Sequence, residues 1–478
     1  MNSTDCGVKC GKPSKKRKFI KKDFLEGVDA AHREFSRVYV SMMIDENDGT
    51  VSIKLNTNQS LLDRVLSKWN MNAAYLRVKK NKGAAGVDGI GVEGLLDQLR
   101  DNKEDLLKRL ENGKYTPSPV RRVEIPKDEP GKFRILGIPT TVDRVIQQAI
   151  SQVLSPIYEY AFSEYSNGFR PGRDCHMALQ QVQDFADEGY VYAADIDISK
   201  FFDSVTHSKL MQILAETIKD GKLLSLIHKY LNSGAIQYGM FYDTEEGVPQ
   251  GGPLSPLLGN VYLNELDQEL QHRGHKFVRY ADDVLILCKS ERAAERTMAS
   301  ITRFIEDKLF LKVNRGKSKV VHLKEVKYLG YGFYFKEEEC RLRIHPKSIK
   351  RFKFRMLNSV LKRGEYGNDY RVRVWHQKTE GWVRYFKLAD AKGILQKLDG
   401  WMRRHLRAII WRQWRRVRTR YKCLRKLGLT GNRLHEMANM RVGPWRAALT
   451  LGTVLTNKVL ANIGFTPMSE YYLTVCEN

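Results

Sequence analysis

The sequence predicts an α+β fold followed by a helical region, and three observations carry that expectation. Strand-like and helical segments alternate irregularly up to about residue 335, without the regular succession of a doubly wound sheet. From 346 onward the period-two pattern fades, and apolar residues recur at spacings of three and four. Charge divides along the same line. Of a net +26 over 478 residues, residues 341–427 hold 27 Lys+Arg against 5 Asp+Glu, and residues 1–22 hold 8 against 1, so the middle of the chain is close to neutral. A localised field of one sign calls for a polyanionic partner, nucleic acid first. The composition, 42% hydrophobic and 28% charged, is ordinary for a globular protein. No apolar run reaches the roughly 18 residues that span a bilayer, so no membrane association is expected. The basic N-terminus lacks the apolar segment of a secretory signal. Seven scattered cysteines without zinc-site spacing indicate free thiols in a reducing, intracellular setting.

Residues 1–22, ending in "KPSKKRKFIKK", read as a basic arm suited to phosphate contacts, and 1–59 as a tail with an extension. Helix begins at "SLLDRVLSKWNMNAAYLRVKK" (60–80), with Ser60 as the cap and Leu62, Val65, Leu66 and Trp69 on one face. "NKGAAGVDGI" (81–90) is a glycine-rich turn region that matches no phosphate-loop pattern. "VRRVEIPKDEPGKFRILGIPTTVDRVIQQAI" (120–150) reads as a hairpin through Pro130-Gly131 and a helix from Thr141. Residues 189–210 pass from strand into a helix near Thr206, with His207 a hydrogen-bonding residue at its start. Residues 247–266 are a Pro/Gly loop and helix. "FVRYADDVLILCKS" (277–290) is strand, turn, strand. A helix (291–309), the segment 311–323 and a strand pair (327–335) close the first unit, with its boundary near 336–345.

Two acidic sites need explaining. Asp282 and Asp283 sit in a tight turn between apolar strands. In "AADIDISKFFD", Asp195 and Asp197 share a face by alternation. If those strands are neighbours, Asp197 and Asp282 converge at the sheet edge. Clustered carboxylates repel unless a cation neutralises them. Oxygen ligands without His or Cys point to Mg²⁺, and two such ions clamp the attacking and leaving oxygens of a phosphoryl transfer.

"YADD", "DISKFFD" and "VPQGGPLSPLLGN", with "RRVEIPK…FRILGIP" upstream, resemble a reverse transcriptase of the group II intron-encoded maturase family; "GWVRYFKLADAKGILQKLDGWMRRHLRAIIWRQW" (381–414) resembles that family's thumb region. The resemblance spans roughly residues 60–475. It implies a right-hand polymerase: fingers and palm with an antiparallel palm sheet (60–335), an α-helical thumb and maturase region (336–428), and a DNA-binding segment (429–478). It further implies that Asp197, Asp282 and Asp283 are catalytic and hold two Mg²⁺, with the Ile198 carbonyl assisting. Asp195 and Asp203 are then local hydrogen-bond acceptors. Lys127 and Arg134 meet the incoming triphosphate, Gln250 the nucleotide's sugar and base. Phe202 lies beneath the sugar and selects dNTPs, although one of Phe201 and Phe202 belongs to the core. Lys317 or Lys319 would be the cation near the leaving pyrophosphate. The tail shows no CxxC pairs, so no HNH endonuclease is expected, as in the shorter IIC class.

Met402, Leu406, Ile409, Ile410, Trp414, Val417 and Tyr421 trace one amphipathic helix. Arg404, Arg407, Arg415 and Arg418 occupy its other face, flanked by Arg403, Arg412 and Arg416. This face is expected to bind RNA or an RNA/DNA duplex in a salt-sensitive way. The implied partners are the group II intron RNA, an RNA template/DNA primer duplex, target DNA and dNTPs. The implied setting is a bacterial cytoplasm, with nucleoid association during work on DNA. The expected function is reverse transcription with splicing and intron mobility (retrohoming by target-primed reverse transcription). The alternatives are a splicing cofactor with incidental polymerase activity and a host-domesticated reverse transcriptase.

Overall fold

The computed structural model describes residues 30–44, 51–126, 131, 133–362 and 367–477. The basic arm 1–22 and Lys127 lie outside the described residues. The chain divides into two compact units, one ending at Val326 and one beginning at Lys327.

In the first unit, strands β1 (Val40–Ile44) and β2 (Val51–Leu55) form an antiparallel ribbon after the helix Ala30–Tyr39. This extension joins the core. Phe35 is buried there, and His32 Nε2 lies 3.0 Å from Asn70 Oδ1. Strands β3 (Val120–Pro126) and β4 (Phe133–Ile138) make the expected hairpin, which β6 (Ala235–Gln237) and β7 (Met240–Tyr242) extend in the order β4-β3-β6-β7. The central sheet collects β5 (Tyr192–Asp197), β8 (Lys276–Tyr280), β9 (Asp283–Cys288) and β10 (Lys319–His322), antiparallel throughout in the order β10-β5-β9-β8.

Alternation decides how that sheet is covered. Ala194, Ile196, Val284 and Ile286 face the main hydrophobic core, and the intervening positions, including Asp195 and Asp197, take the other face. The helix Thr141–Tyr158 runs through this core with almost every side chain buried, Asp143 among them. Asp143 accepts from Tyr115 Oη (2.8 Å), Thr140 Oγ1 (2.7 Å), Tyr230 Oη (3.2 Å) and Ser118 N (3.2 Å). Burial nevertheless holds its pKa above the usual carboxylate range. The helix expected over 60–80 starts as predicted, Ser60 accepting from Asp63 N, but breaks at Ser67 into Leu61–Leu66 and Lys68–Asn81. The break turns Trp69 off the buried face, and it is exposed.

The second unit is not wholly helical. Strands β11 (Lys327–Tyr328), β12 (Tyr331–Lys336) and β13 (Glu339–Ile344) form one antiparallel sheet. The strand pair expected to close the first unit therefore belongs to the second, because its partner is β13. Helices follow to Glu477. The single amphipathic helix expected through Tyr421 is two, Lys392–Gln413 and Val417–Lys426, with Trp414 breaking the first. Met402, Leu406 and Ile409 are buried as predicted; Trp411 is also buried, in a core with the later helices, and Val417 is exposed beyond the break, which resets the register. Trp411 and Leu424 share a core with Leu434, Ala447, Leu451 and Leu455, so residues on both sides of 428 pack together.

Candidate active site

The paired acids meet through strand register. Asp197, the last residue of β5, stands directly opposite Asp283, the first residue of β9. The β8–β9 hairpin closes through two residues, Ala281 and Asp282, with Ala281 in the left-handed region at φ +58°. Asp197 O accepts from Asn314 N (2.9 Å), and Asp197 N donates to Ser318 Oγ (3.0 Å). Both backbone groups of Asp197 thus turn away from β9. Asp197 and Asp283 therefore form the closer kind of antiparallel pair, in which side chains approach most nearly. Like charges so placed repel. By the same alternation the Ile198 carbonyl turns toward the hairpin, past the last ladder pair.

A cation already answers that repulsion in part. Lys317 Nζ lies 3.5 Å from Asp197 Oδ2 at this solvent-facing edge. Lys319 instead stands opposite Asp195. The Asp195 carboxyl is pushed up to about 6, by burial first and then by Asp197, while Lys319 works against the shift. The donor set is all oxygen: two facing carboxylates, Asp282 beside them and one backbone carbonyl. That chemistry fits a hard divalent cation, which takes one or two carboxylates and completes its shell with water and phosphate oxygens. Among the described residues, no three His, Cys, Asp or Glu side chains close around one point.

What positions the turn was not foreseen in the sequence. Arg279, fully buried, binds Asp267 through two bonds (Nε–Oδ1 2.7 Å, Nη2–Oδ2 2.5 Å). Its Nη1 donates to Ala281 O (2.9 Å) and to Asn260 Oδ1 (3.0 Å). On the other side Asn167 N donates to Arg279 O (2.9 Å). Gly168 packs so close that a Cβ there would lie 2.3 Å from Ala281 N, hence the glycine. The signal was present: a basic residue inside an apolar strand, "FVRY", needs a buried acid partner.

The remaining predicted residues fall as follows. Phe201 is in the core; Phe202 is half-buried beside it, ring centroids 5.0 Å apart, with its carbonyl accepting from Val248 N at 2.6 Å. Gln250 O accepts from Gly137 N (2.8 Å), seating the Pro249-Gln250 loop on β4. Gly251, at φ +127°, follows, and a Cβ there would lie 2.8 Å from Gly137 O. Arg134 is exposed on β4, three residues before that contact. His207 is buried at its helix start, Nε2 2.7 Å from Gly247 O and Nδ1 3.0 Å from Asn232 Oδ1.

Within the second unit the seven arginines separate into three groups. Arg415, Arg416 and Arg418 are exposed, at and after the helix break. Arg404 lies 4.1 Å over the Trp445 ring, and Arg407 donates to Leu455 O (2.8 Å) and Asn457 Oδ1 (3.1 Å). Those two are engaged by the chain's own later helices. Arg403 and Arg412 are half-buried.

Comparison with known proteins identifies the family. Residues 125–333 match the family described as reverse transcriptase (RNA-dependent DNA polymerase), and residues 349–428 match the group II intron, maturase-specific domain. The chain is 32% identical over 330 residues to Protein YkfC of Escherichia coli (strain K12), covering 59% of this chain and 86% of that protein. It is 40% identical over 212 residues to the group II intron-encoded protein LtrA of Lactococcus lactis subsp. cremoris, covering 43% of this chain and 34% of LtrA. A putative COX1/OXI3 intron 2 protein of Saccharomyces cerevisiae is 29% identical over 320 residues, with 54% of this chain and 37% of that protein covered. The matches thus span about a third of the length of the last two.

Proposed function

The chain belongs to the group II intron-encoded reverse transcriptases and maturases, RNA-directed DNA polymerases that also serve splicing, and we propose that its polymerase centre is the aspartate edge of the central sheet. In this reading the central sheet is the palm and the β3–β4 hairpin belongs to the fingers. Residues 336–428 then form the thumb and maturase region, and 429–478 a DNA-binding segment. Asp197, Asp282, Asp283 and the Ile198 carbonyl would hold divalent cations, two Mg²⁺. When bound, these supply positive charge to the attacking and leaving oxygens of the transfer.

The chain's own part is positioning. The primer 3′-hydroxyl oxygen attacks the α-phosphorus of a dNTP, a new P–O bond forms, and pyrophosphate leaves. Ala281 is small, so a primer end can approach the turn. Arg134, and Lys127 outside the described residues, offer charge to the triphosphate oxygens. Phe202 is the half-exposed member of its pair, which suits a ring beneath the sugar, and Gln250 sits on a loop fixed to the strand that carries Arg134. Arg403, Arg412, Arg415, Arg416 and Arg418 contact phosphates of intron RNA or of the template–primer duplex. Retrohoming into target DNA, in a bacterial cytoplasm with nucleoid association, follows from the same reading. No helix among the described residues is long and apolar enough to cross a membrane.

The observation that carries this proposal is the direct register pairing of Asp197 with Asp283 beside Asp282. The test is Asp282→Ala, assayed for cDNA synthesis on an RNA template, intron RNA binding and splicing. The expected result is loss of synthesis by at least about a thousandfold with binding and splicing retained. An equal fall in splicing sinks the two-role proposal, and unimpaired synthesis sinks the site.

A further inference from the structure

A second basic site lies in the first unit, at the other end of the strands that carry the aspartates. Where β8 begins and β9 ends there is a cavity of about 450 Å³ lined by Arg273, Lys276, Lys289, Arg296, Tyr190 and Ser300 among others, and no carboxylate lines it. Asp283 and Cys288 bound β9, so at roughly 3.3 Å per residue this cavity is about 17 Å from the acidic edge.

Two of its cations are held in place without being neutralised. Lys276 Nζ lies 5.2 Å over the Phe185 ring, and Lys289 Nζ 5.0 Å over the Tyr190 ring. Such contacts orient an ammonium while leaving its charge available. Arg273 is fixed by Glu269 and by Ser300 Oγ, to which Nη1 donates at 2.5 Å. Among the described residues Lys276, Lys289 and Arg296 form no ion pair. Three unpaired cations and a tethered fourth line one concavity. Their repulsion is relieved by an anion. The hydroxyls of Tyr190 and Ser300 add donors suited to phosphate oxygens.

We propose that this cavity binds backbone phosphates of a folded RNA segment other than the one being copied, which anchors the RNA while its template stretch occupies the acidic edge. The proposal rests on the RNA-binding reading above. At about 17 Å from the acidic edge the cavity is within reach of a long duplex seated there, so a short primer–template serves as the control that separates the copied duplex from a second RNA segment.

The test uses the full chain with Lys276→Ala, Lys289→Ala and Arg296→Ala combined. Affinity for the intron RNA should fall at least tenfold near 150 mM salt. The slope of log K against log[salt] should become shallower by about 2–3, one for each lost phosphate contact. Extension of a short DNA primer on a short RNA template should stay within twofold of wild type. In the wild-type protein, the intron RNA should protect Lys276 and Lys289 from acetylation, and the short primer–template should not. That footprint decides the matter even if the triple variant folds poorly. Unchanged affinity and slope overturn the proposal, as does absence of protection. Titration with dAMP or inorganic pyrophosphate separates a free-nucleotide site: tight binding lost in the triple variant would reassign the cavity and overturn the RNA anchor. Failure of wild-type cDNA synthesis would instead sink the polymerase reading and leave the footprint result standing.

Discussion

Asp195 is a residue whose protonation the fold controls. Its folded pKa of about 6 exceeds that of an unfolded aspartate, so the native state binds the proton more tightly. The resulting stability is complete below about pH 4 and is lost as pH rises through 6. Asp195→Asn should therefore remove a downward slope in stability between pH 4 and 6.5, worth at most about 3 kcal/mol. Urea titrations of both proteins across that range test this, and parallel curves would refute it. Phe202 gives a second prediction: replacing it with Val should raise rNTP incorporation at least tenfold relative to dNTP in primer extension, and unchanged discrimination would remove it from the sugar site. Asp195 was legible from strand alternation, whereas Phe202 was expected only from the family resemblance, which left Phe201 as its rival. Gly168 was not legible. Its need for hydrogen in place of a side chain arises from Ala281, more than a hundred positions away, and nothing near it in sequence announces that contact.

At the scale of elements, the β8–β9 hairpin depends on a buried ion pair. Removing one partner leaves an uncompensated charge in the core, which typically costs about 3–5 kcal/mol. Asp267→Ala is expected to lose that much, whereas Asp267→Leu with Arg279→Leu should lose clearly less; equal losses in denaturant unfolding would show that the pair is not the support. Gly168→Ala should displace the turn and lower cDNA synthesis more than tenfold at a stability loss of only about 1–3 kcal/mol. The hairpin itself could be read from alternating apolar residues around a short polar turn. The helix breaks at Ser67 and Trp414 could not, because periodicity runs smoothly across both. The second break is fixed from a distance: Arg420 Nε donates to Trp414 O (2.9 Å), Nη1 to Met440 O (3.1 Å), and its guanidinium lies 4.0 Å over Trp411.

For the whole molecule, the uneven charge and a division into two units were legible, and the exact boundary was not. Counting Lys and Arg needs no structure, but assigning β11 and β12 requires knowing that they pair with β13. The exposed arginines Arg415, Arg416 and Arg418 should set part of the salt response: replacing all three with Ala should flatten the salt slope of RNA binding by about 2–3, and an unchanged slope would exclude them from phosphate contact. The shared core across residue 428 bears on how such a protein is dissected. Asp399 accepts from Met468 N (2.8 Å), Ser469 N (3.0 Å) and Ser469 Oγ (2.6 Å), and Trp375 Nε1 donates to Thr466 O (3.0 Å). Cutting the gene after codon 428 would bare Trp411 and Leu424 and strand a deeply seated carboxylate. A truncated product that no longer binds DNA would then report a collapsed scaffold, and swapping this stretch between homologues as a cassette would require carrying its supporting helices along.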